Sequence, residues 1–222
     1  MSGNSRDLLE SIYHRLYETL GPQHWWPAET PFEVILGAIL TQNAAWKNVA
    51  RAISNLREYN MLGFGAVCDI PAQSLAFLIR PSGFYNQKTA KIKAFCQHVL
   101  SQWDGDLDGF LAQDAEVLRG ELLRIRGIGP ETADSIILYA ALKPTFVVDS
   151  YTFRIFSRHG WVGEPLEYDE LRDFFVRSLE PDVQLYKEYH ALLVRTGNLF
   201  CRKKPLCASC PLNVFFEGQS HP

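Results

Sequence analysis

Apolar residues recur at helical spacing along almost the whole chain, and no stretch alternates with a period of two for long enough to build a sheet. Leu8, Leu9, Ile12, Leu16 and Leu20 mark one amphipathic run, which ends at Gly21-Pro22 and the aromatic loop Trp25-Trp26-Pro27. Thr30 can cap the next helix with Pro31 in its first position, where a missing N–H costs nothing; Phe32, Ile35, Leu36, Ile39 and Leu40 form its buried face down to Thr41-Gln42-Asn43. The spacing predicts further helices over residues 46–56, 71–80, 87–103, 114–125, 130–142, 150–160, 169–179 and 183–200, with a tight turn at 126–129. The β-branched run Thr145–Val148 is too short to demand a strand, so the reading is all-α.

With 222 residues, 47% of them apolar and 21% charged, the chain can bury an ordinary core, and disordered, collagen-like and disulfide-scaffold classes are excluded. The apolar run Phe32–Leu40 is interrupted by Glu33 and falls well short of the ~20 residues that cross a bilayer, so no membrane partner is expected. The start, Met1-Ser2-Gly3-Asn4-Ser5-Arg6-Asp7, lacks the apolar core of a signal peptide, which predicts a cytoplasmic location and reduced thiols. Twenty-two Lys and Arg against 25 Asp and Glu, net −3, exclude a wholly basic nucleic-acid coat but allow a local basic patch. Positive residues do cluster: Arg80, Lys88, Lys91 and Lys93; Arg119, Arg124 and Arg126; Arg202, Lys203 and Lys204. Alone, such clusters read as solvated helix faces.

Two motifs point further. In the stretch Leu122–Ala133 two helices meet through Gly127-Ile128-Gly129, with Pro130 where the second begins. Glycines permit a sharp turn and leave no side chain between its amides and a ligand, Ile128 can plug the core, and the start of the following helix offers outward amides at the positive end of its dipole, a phosphate site. An ordinary helical hairpin is the plainer reading of the same residues. Downstream, Asp149 follows the apolar run Phe146-Val147-Val148 and opens a helix. It can be a simple N-cap; together with the hairpin it matches an arrangement in which one element grips backbone phosphates and a carboxylate meets the sugar of an extruded nucleotide.

With those residues in place the chain resembles, over nearly its full length, the helix-hairpin-helix (HhH-GPD) base-excision DNA glycosylases of the endonuclease III superfamily. Within that superfamily it is similar to 3-methyladenine DNA glycosylase III, through Trp25-Trp26-Pro27, Gly37–Asn43, Arg80–Lys88 and Val147-Val148-Asp149. The resemblance implies two helical lobes with DNA bound in the cleft between them, one lobe continuous over residues 30–142, its hairpin at about 114–142, and the other made from 1–29 and 143–222. It implies a DNA glycosylase that flips a damaged base and hydrolyses its N-glycosidic bond, with Asp149 as the catalytic aspartate and Gly127, Ile128, Gly129 and Thr132 on the DNA backbone. A carboxylate there would stabilise the positive charge that develops on the sugar as the base leaves, or orient and deprotonate the attacking water.

Bifunctional members carry a lysine where this chain has Glu131, and a glutamate cannot form the Schiff base that precedes strand cleavage, so a monofunctional enzyme without efficient AP lyase is predicted. Trp25, Trp26 and Trp46 can line a base pocket that attracts a cationic alkylated purine such as 3-methyladenine, or can be core or interface residues. Gln42 and Asn43 can fill the gap left by the flipped nucleotide, or form the loop that ends a helix. Cys201, Cys207 and Cys210 suggest metal rather than disulfides. The family's [4Fe–4S] loop uses four cysteines; here the first spacing is one residue short and the fourth falls near Phe216, leaving a cluster with an outside ligand, a contribution from His221, or a degenerate loop. The expected partners are double-stranded DNA with a damaged base and a downstream abasic-site endonuclease, with a monomer as default. An endonuclease III-like glycosylase for oxidised pyrimidines or mispaired bases, and a non-catalytic DNA-binding module, are the rival readings.

Overall fold

The computed structural model describes residues 2–163 and 166–216. Among these every element is helical, and none is long and apolar enough to cross a membrane. The chain divides into two compact units, 26–143 and 1–25 with 144–222.

In the 26–143 unit, α2 (Pro31–Leu40) starts as its sequence dictates: the Thr30 hydroxyl accepts the Glu33 amide at 3.2 Å and Pro31 takes the first position. Such a cap contributes about 1 kcal/mol. All residues from Phe32 to Leu40 are buried, so α2 is a central helix and its apolar surface extends well beyond one face. Its one carboxylate, Glu33, accepts Arg57 Nη2 at 2.7 Å and the Glu29 amide at 3.1 Å. Around it lie α3 (Trp46–Glu58), α4 (Phe64–Asp69), α5 (Ala72–Leu78), α6 (Tyr85–Gln102), α7 (Leu107–Ala112), α8 (Ala115–Arg124) and α9 (Pro130–Ser135). The helix predicted over 71–80 stops at Leu78 and gives way to a 3-10 turn, Arg80–Ser82, that accommodates Pro81. The six-residue helices α4 and α7 are absent from the sequence reading because neither is long enough to display a helical period.

The predicted helix 130–142 is also modified. After α9 the chain widens into a π-turn, Ile136–Ala140, closed by the Ala141 amide on the Ile136 carbonyl at 2.9 Å. Every residue of the turn is buried. α8 and α9 are joined across their turn by Arg119 and Asp134, both buried, with Nε–Oδ1 at 3.1 Å and Nη2–Oδ2 at 3.2 Å. Removing one partner of such a pair costs about 3–5 kcal/mol, because the other stays buried and charged.

The second unit contains α1 (Ser2–Leu20), α10 (Ser150–Arg158), α11 (Tyr168–Ser178) and α12 (Val183–Leu199). Leu9, Ile12 and Leu16 of α1 are fully buried, and the Tyr189 hydroxyl of α12 donates to the Leu9 carbonyl at 2.9 Å. The segment Thr145–Val148 runs buried through this core, as Phe146 stacks on Phe175 with ring centroids 3.8 Å apart and Arg172 Nε donates to Thr145 Oγ1 at 3.0 Å. Asp149 thus follows directly on packed core residues.

Candidate nucleic-acid interface and active site

The hairpin turn is built by one glycine on a left-handed backbone. Gly127 has φ +88, and a Cβ there would lie 2.5 Å from Lys91 Cγ, so a side chain would strain the backbone and displace the Lys91 chain. Gly129 differs: its φ of −97 and ψ of 178 suit any residue, and a Cβ would meet nothing within 4 Å. Only Gly127 is needed to turn the chain, while the space over Gly129 is open. Ile128 is 5% exposed and plugs the core between them. Glu131 is exposed on the first turn of α9.

Thr132 is buried, and its hydroxyl accepts Gln42 Nε2 at 2.8 Å. The same Nε2 reaches the Gly127 carbonyl at 3.2 Å, and Gln42 Oε1 accepts Lys91 Nζ. The Gln42 side chain thus ties the end of α2 to the hairpin through Thr132 and Gly127. Asn43 behaves otherwise: it is exposed, in the left-handed region at φ 52. Phe84 shares that conformation, at φ 46, and is 63% exposed although apolar. The sequence reading passed over it; an aromatic residue directly after Gly83 in a loop was the available signal.

Trp26 and Trp46 meet edge to face at 5.5 Å, and Trp26 also packs on Tyr139 at 5.1 Å. Gly37 of α2 makes room for this group, as its Cβ would lie 3.0 Å from Trp26 Cζ2. Tyr139 was not predicted and lies in the π-turn, an element frequent at functional sites. Trp25 belongs to the other unit.

There, Asp149 is the N-cap of α10. Its Oδ1 accepts the Tyr151 amide at 3.0 Å, the Thr152 amide at 2.8 Å and the Thr152 hydroxyl at 3.0 Å, leaving Oδ2 outside the capping bonds. The N-cap reading therefore does not exclude the sugar-facing one, since the capping bonds use a single oxygen. Burial lowers the titration of His190 on α12, and the charge of Asp149 partly opposes that shift.

Several members of the basic clusters serve the interior. Lys88 is 2% exposed and Arg119 8%; Lys93 donates to the Val67, Cys68 and Ile70 carbonyls at the end of α4. Arg124, Arg126, Arg202, Lys203 and Lys204 remain exposed.

Cys201, Cys207 and Cys210 line one small cavity together with His159 and Phe216. The aromatic ring of Phe216, near which the resemblance would have put the fourth thiol, stacks on His159 at 4.2 Å. No group of three or more Cys, His, Asp or Glu side chains among the described residues is disposed to hold a metal ion, and His221 lies outside them. The donor set does not fit a four-thiolate cluster. Arginines of α10 hold the loop: Arg154 Nε donates to the Cys201 carbonyl at 2.6 Å, and Arg158 Nη1 to the Arg202 carbonyl at 2.6 Å and Cys201 Sγ at 3.4 Å.

Comparison with known proteins agrees with this geometry. A protein of Methanocaldococcus jannaschii named as a candidate DNA repair glycosylase is 45% identical over 217 residues, covering 97% of this chain and 98% of the relative. Endonuclease III of Sulfolobus acidocaldarius is 29% identical over 83% of this chain and 80% of its own. Among solved structures, the 3-methyladenine DNA glycosylase of H. pylori bound to 1,N6-ethenoadenine is similar at a TM-score of 0.73 and 29% identity, covering 87% of this chain and 97% of that one. An endonuclease III–DNA complex shares the fold at a TM-score of 0.80 and 20% identity over 95% and 94% of the two chains. The sequence model of the HhH-GPD superfamily of base excision DNA repair proteins matches residues 36–181, and the chain belongs to that superfamily as a DNA glycosylase.

Proposed function

We propose that the protein is a monofunctional glycosylase that releases alkylated purines, 3-methyladenine among them, from double-stranded DNA. The observation that carries the substrate class is the aromatic group of Trp26, Trp46 and Tyr139 seated on Gly37. A π-face attracts a cationic base. The likeness to the H. pylori 3-methyladenine glycosylase supports the same choice.

In the reaction, water adds to the sugar carbon and the base departs with the electron pair of the glycosidic bond. An alkylated purine leaves as a neutral molecule, so no general acid has to protonate it. Asp149 Oδ2, outside the capping bonds, stabilises the cationic sugar or takes the proton of the attacking water. The Gly127 and Gly129 amides and that of Thr132 hold the DNA backbone, and the open space over Gly129 admits a phosphate. Phe84, exposed, enters the stack where the nucleotide has left, as apolar wedges do in kinked duplexes, and Asn43, exposed as well, offers its amide to the base edges there. Gln42 can join them only by trading its bonds to Gly127, Thr132 and Lys91 for base contacts. Glu131 supplies no amine, so the product is an intact abasic strand, which requires a separate abasic-site endonuclease.

The test incubates purified protein with duplexes containing 3-methyladenine or 7-methylguanine and with oxidised-pyrimidine duplexes, scoring free base and strand cleavage separately. Methylated base released without cleavage is expected. Release of oxidised pyrimidine with cleavage would replace this reading with an endonuclease III-like one, and duplex binding without any release would leave only a DNA-binding module.

A further inference from the structure

Lys88 lies on the first turns of α6 and is 2% exposed. Its ammonium donates at 2.7 Å to the Leu40 carbonyl and at 2.7 Å to the Ser82 carbonyl. Each acceptor is the last residue before a loop: Leu40 closes α2 ahead of Thr41-Gln42-Asn43, and Ser82 closes the 3-10 turn ahead of Gly83-Phe84. Both loops carry an exposed side chain on a left-handed backbone, Asn43 and Phe84. Phe84 is the N-cap of α6, and its carbonyl accepts the Lys88 amide at 3.0 Å in the first bond of that helix, so the Phe84 loop runs directly into the turn that carries Lys88. One turn further along α6, Lys91 holds Gln42 of the other loop.

We infer that Lys88 is a positioning residue that ties together the two loops carrying Asn43 and Phe84, and so sets how they enter the duplex when a base is extruded. A buried ammonium is tolerated only if its donors are used, and here they join two loop ends that share no backbone hydrogen bond with each other. The inference rests on the glycosylase reading above. It makes Lys88 matter for opening the base pair and not for breaking the glycosidic bond, which separates it from a residue that merely supports the fold.

The experiment compares wild type, Lys88→Met and Lys88→Arg on a dimethyl-sulfate-treated oligonucleotide, assayed alone and annealed to its complement, with released methylpurines quantified by chromatography under single-turnover conditions. Lys88→Met is expected to slow release from the annealed strand about tenfold or more and from the unannealed strand by less than about twofold, because an unpaired base needs no extrusion. Lys88→Arg, which keeps a cation with several donors, is expected to restore part of the loss on the duplex. Equal loss on both strands, or no loss on either, overturns the inference, whereas a wild-type protein that releases nothing overturns the substrate reading instead. If Lys88→Met does not fold, the exposed pair Asn43→Ala and Phe84→Ala gives the second test: loops tied through Lys88 act as one unit, so the double variant should lose much less than the product of the single losses, and independent losses overturn the coupling.

Discussion

The two glycines of the hairpin turn should respond in opposite ways to the same methyl group. At Gly127 an alanine must adopt φ near +88, which costs about 1–2 kcal/mol for an L-residue. Its Cβ would lie 2.5 Å from Lys91 Cγ and 2.9 Å from Cδ, so the Lys91 chain must swing away and release its half-buried hydrogen bond to Gln42, a further loss of about 0.5–1.5 kcal/mol. Gly127→Ala should therefore destabilise by about 1.5–3.5 kcal/mol, lowering the melting temperature by about 3–14 °C. In a Lys91→Ala background the clash disappears and only the backbone strain of about 1–2 kcal/mol should remain. At Gly129 the backbone is already compatible and the methyl group meets nothing within 4 Å, so Gly129→Ala should leave stability unchanged or raise it by about 0.4–1 kcal/mol. In the proposed DNA complex the same methyl group stands where the phosphate approaches the turn amides, and duplex affinity should fall about tenfold, or 1.4 kcal/mol. Circular dichroism melts and fluorescence anisotropy with a labelled duplex at fixed salt measure both quantities. Equal melting temperatures for the two variants, or wild-type affinity for Gly129→Ala, would refute the division of labour between the glycines.

Other consequences follow from the same structure. Glu131→Lys places an amine where bifunctional relatives of the resembled family carry one, and borohydride should trap a covalent protein–DNA adduct that wild type does not form; absence of the adduct would show that position alone does not confer a Schiff base. Burial lowers the titration of His190 and His159 below that of an unfolded histidine, near about 6.5, so the unfolded chain binds more protons as the pH drops below that value. Stability should be level above about pH 6.5 and fall below it, with His159→Phe reducing the loss while keeping the stack on Trp161 and Phe216; a denaturation midpoint unchanged down to pH 5 would contradict the assignment. Gly197→Ala puts a Cβ 2.3 Å from Tyr151 Cδ1, between α12 and the first turn of α10, and should cost about 1–3 kcal/mol and slow excision through the displaced Asp149; full stability would mean the two helices part without strain.

What the sequence made legible is local. The Thr30–Pro31 start, the Asp149 cap and the glycine turn are short motifs whose physics is complete within a few residues, and the structure builds them accordingly. The all-α reading follows from periodicity, which also accounts for its failures: a π-turn shifts the helical phase at Ile136–Ala140, and six-residue helices hold too few turns to show a period. Interactions that cross the chain left no sequence signal. Lys88 and Lys91 stood in an apparent basic patch, yet Lys88 is buried against carbonyls and Lys91 serves Gln42. Gln42 looked like a loop residue and is bonded to a hairpin 85 to 90 positions away. Tyr139 joins Trp26 and Trp46 only once α2 and the π-turn have packed.

The central claim of the proposed function is that Asp149 carries the chemistry. Asn is as good an N-cap as Asp, so Asp149→Asn should preserve α10 and the fold while removing the negative charge. Single-turnover release of methylated base, measured beside duplex affinity and a thermal melt, should show excision slowed by about a hundredfold or more with binding and melting temperature near wild type. An Asp149→Asn protein that binds damaged duplex and excises at the wild-type rate would contradict the account.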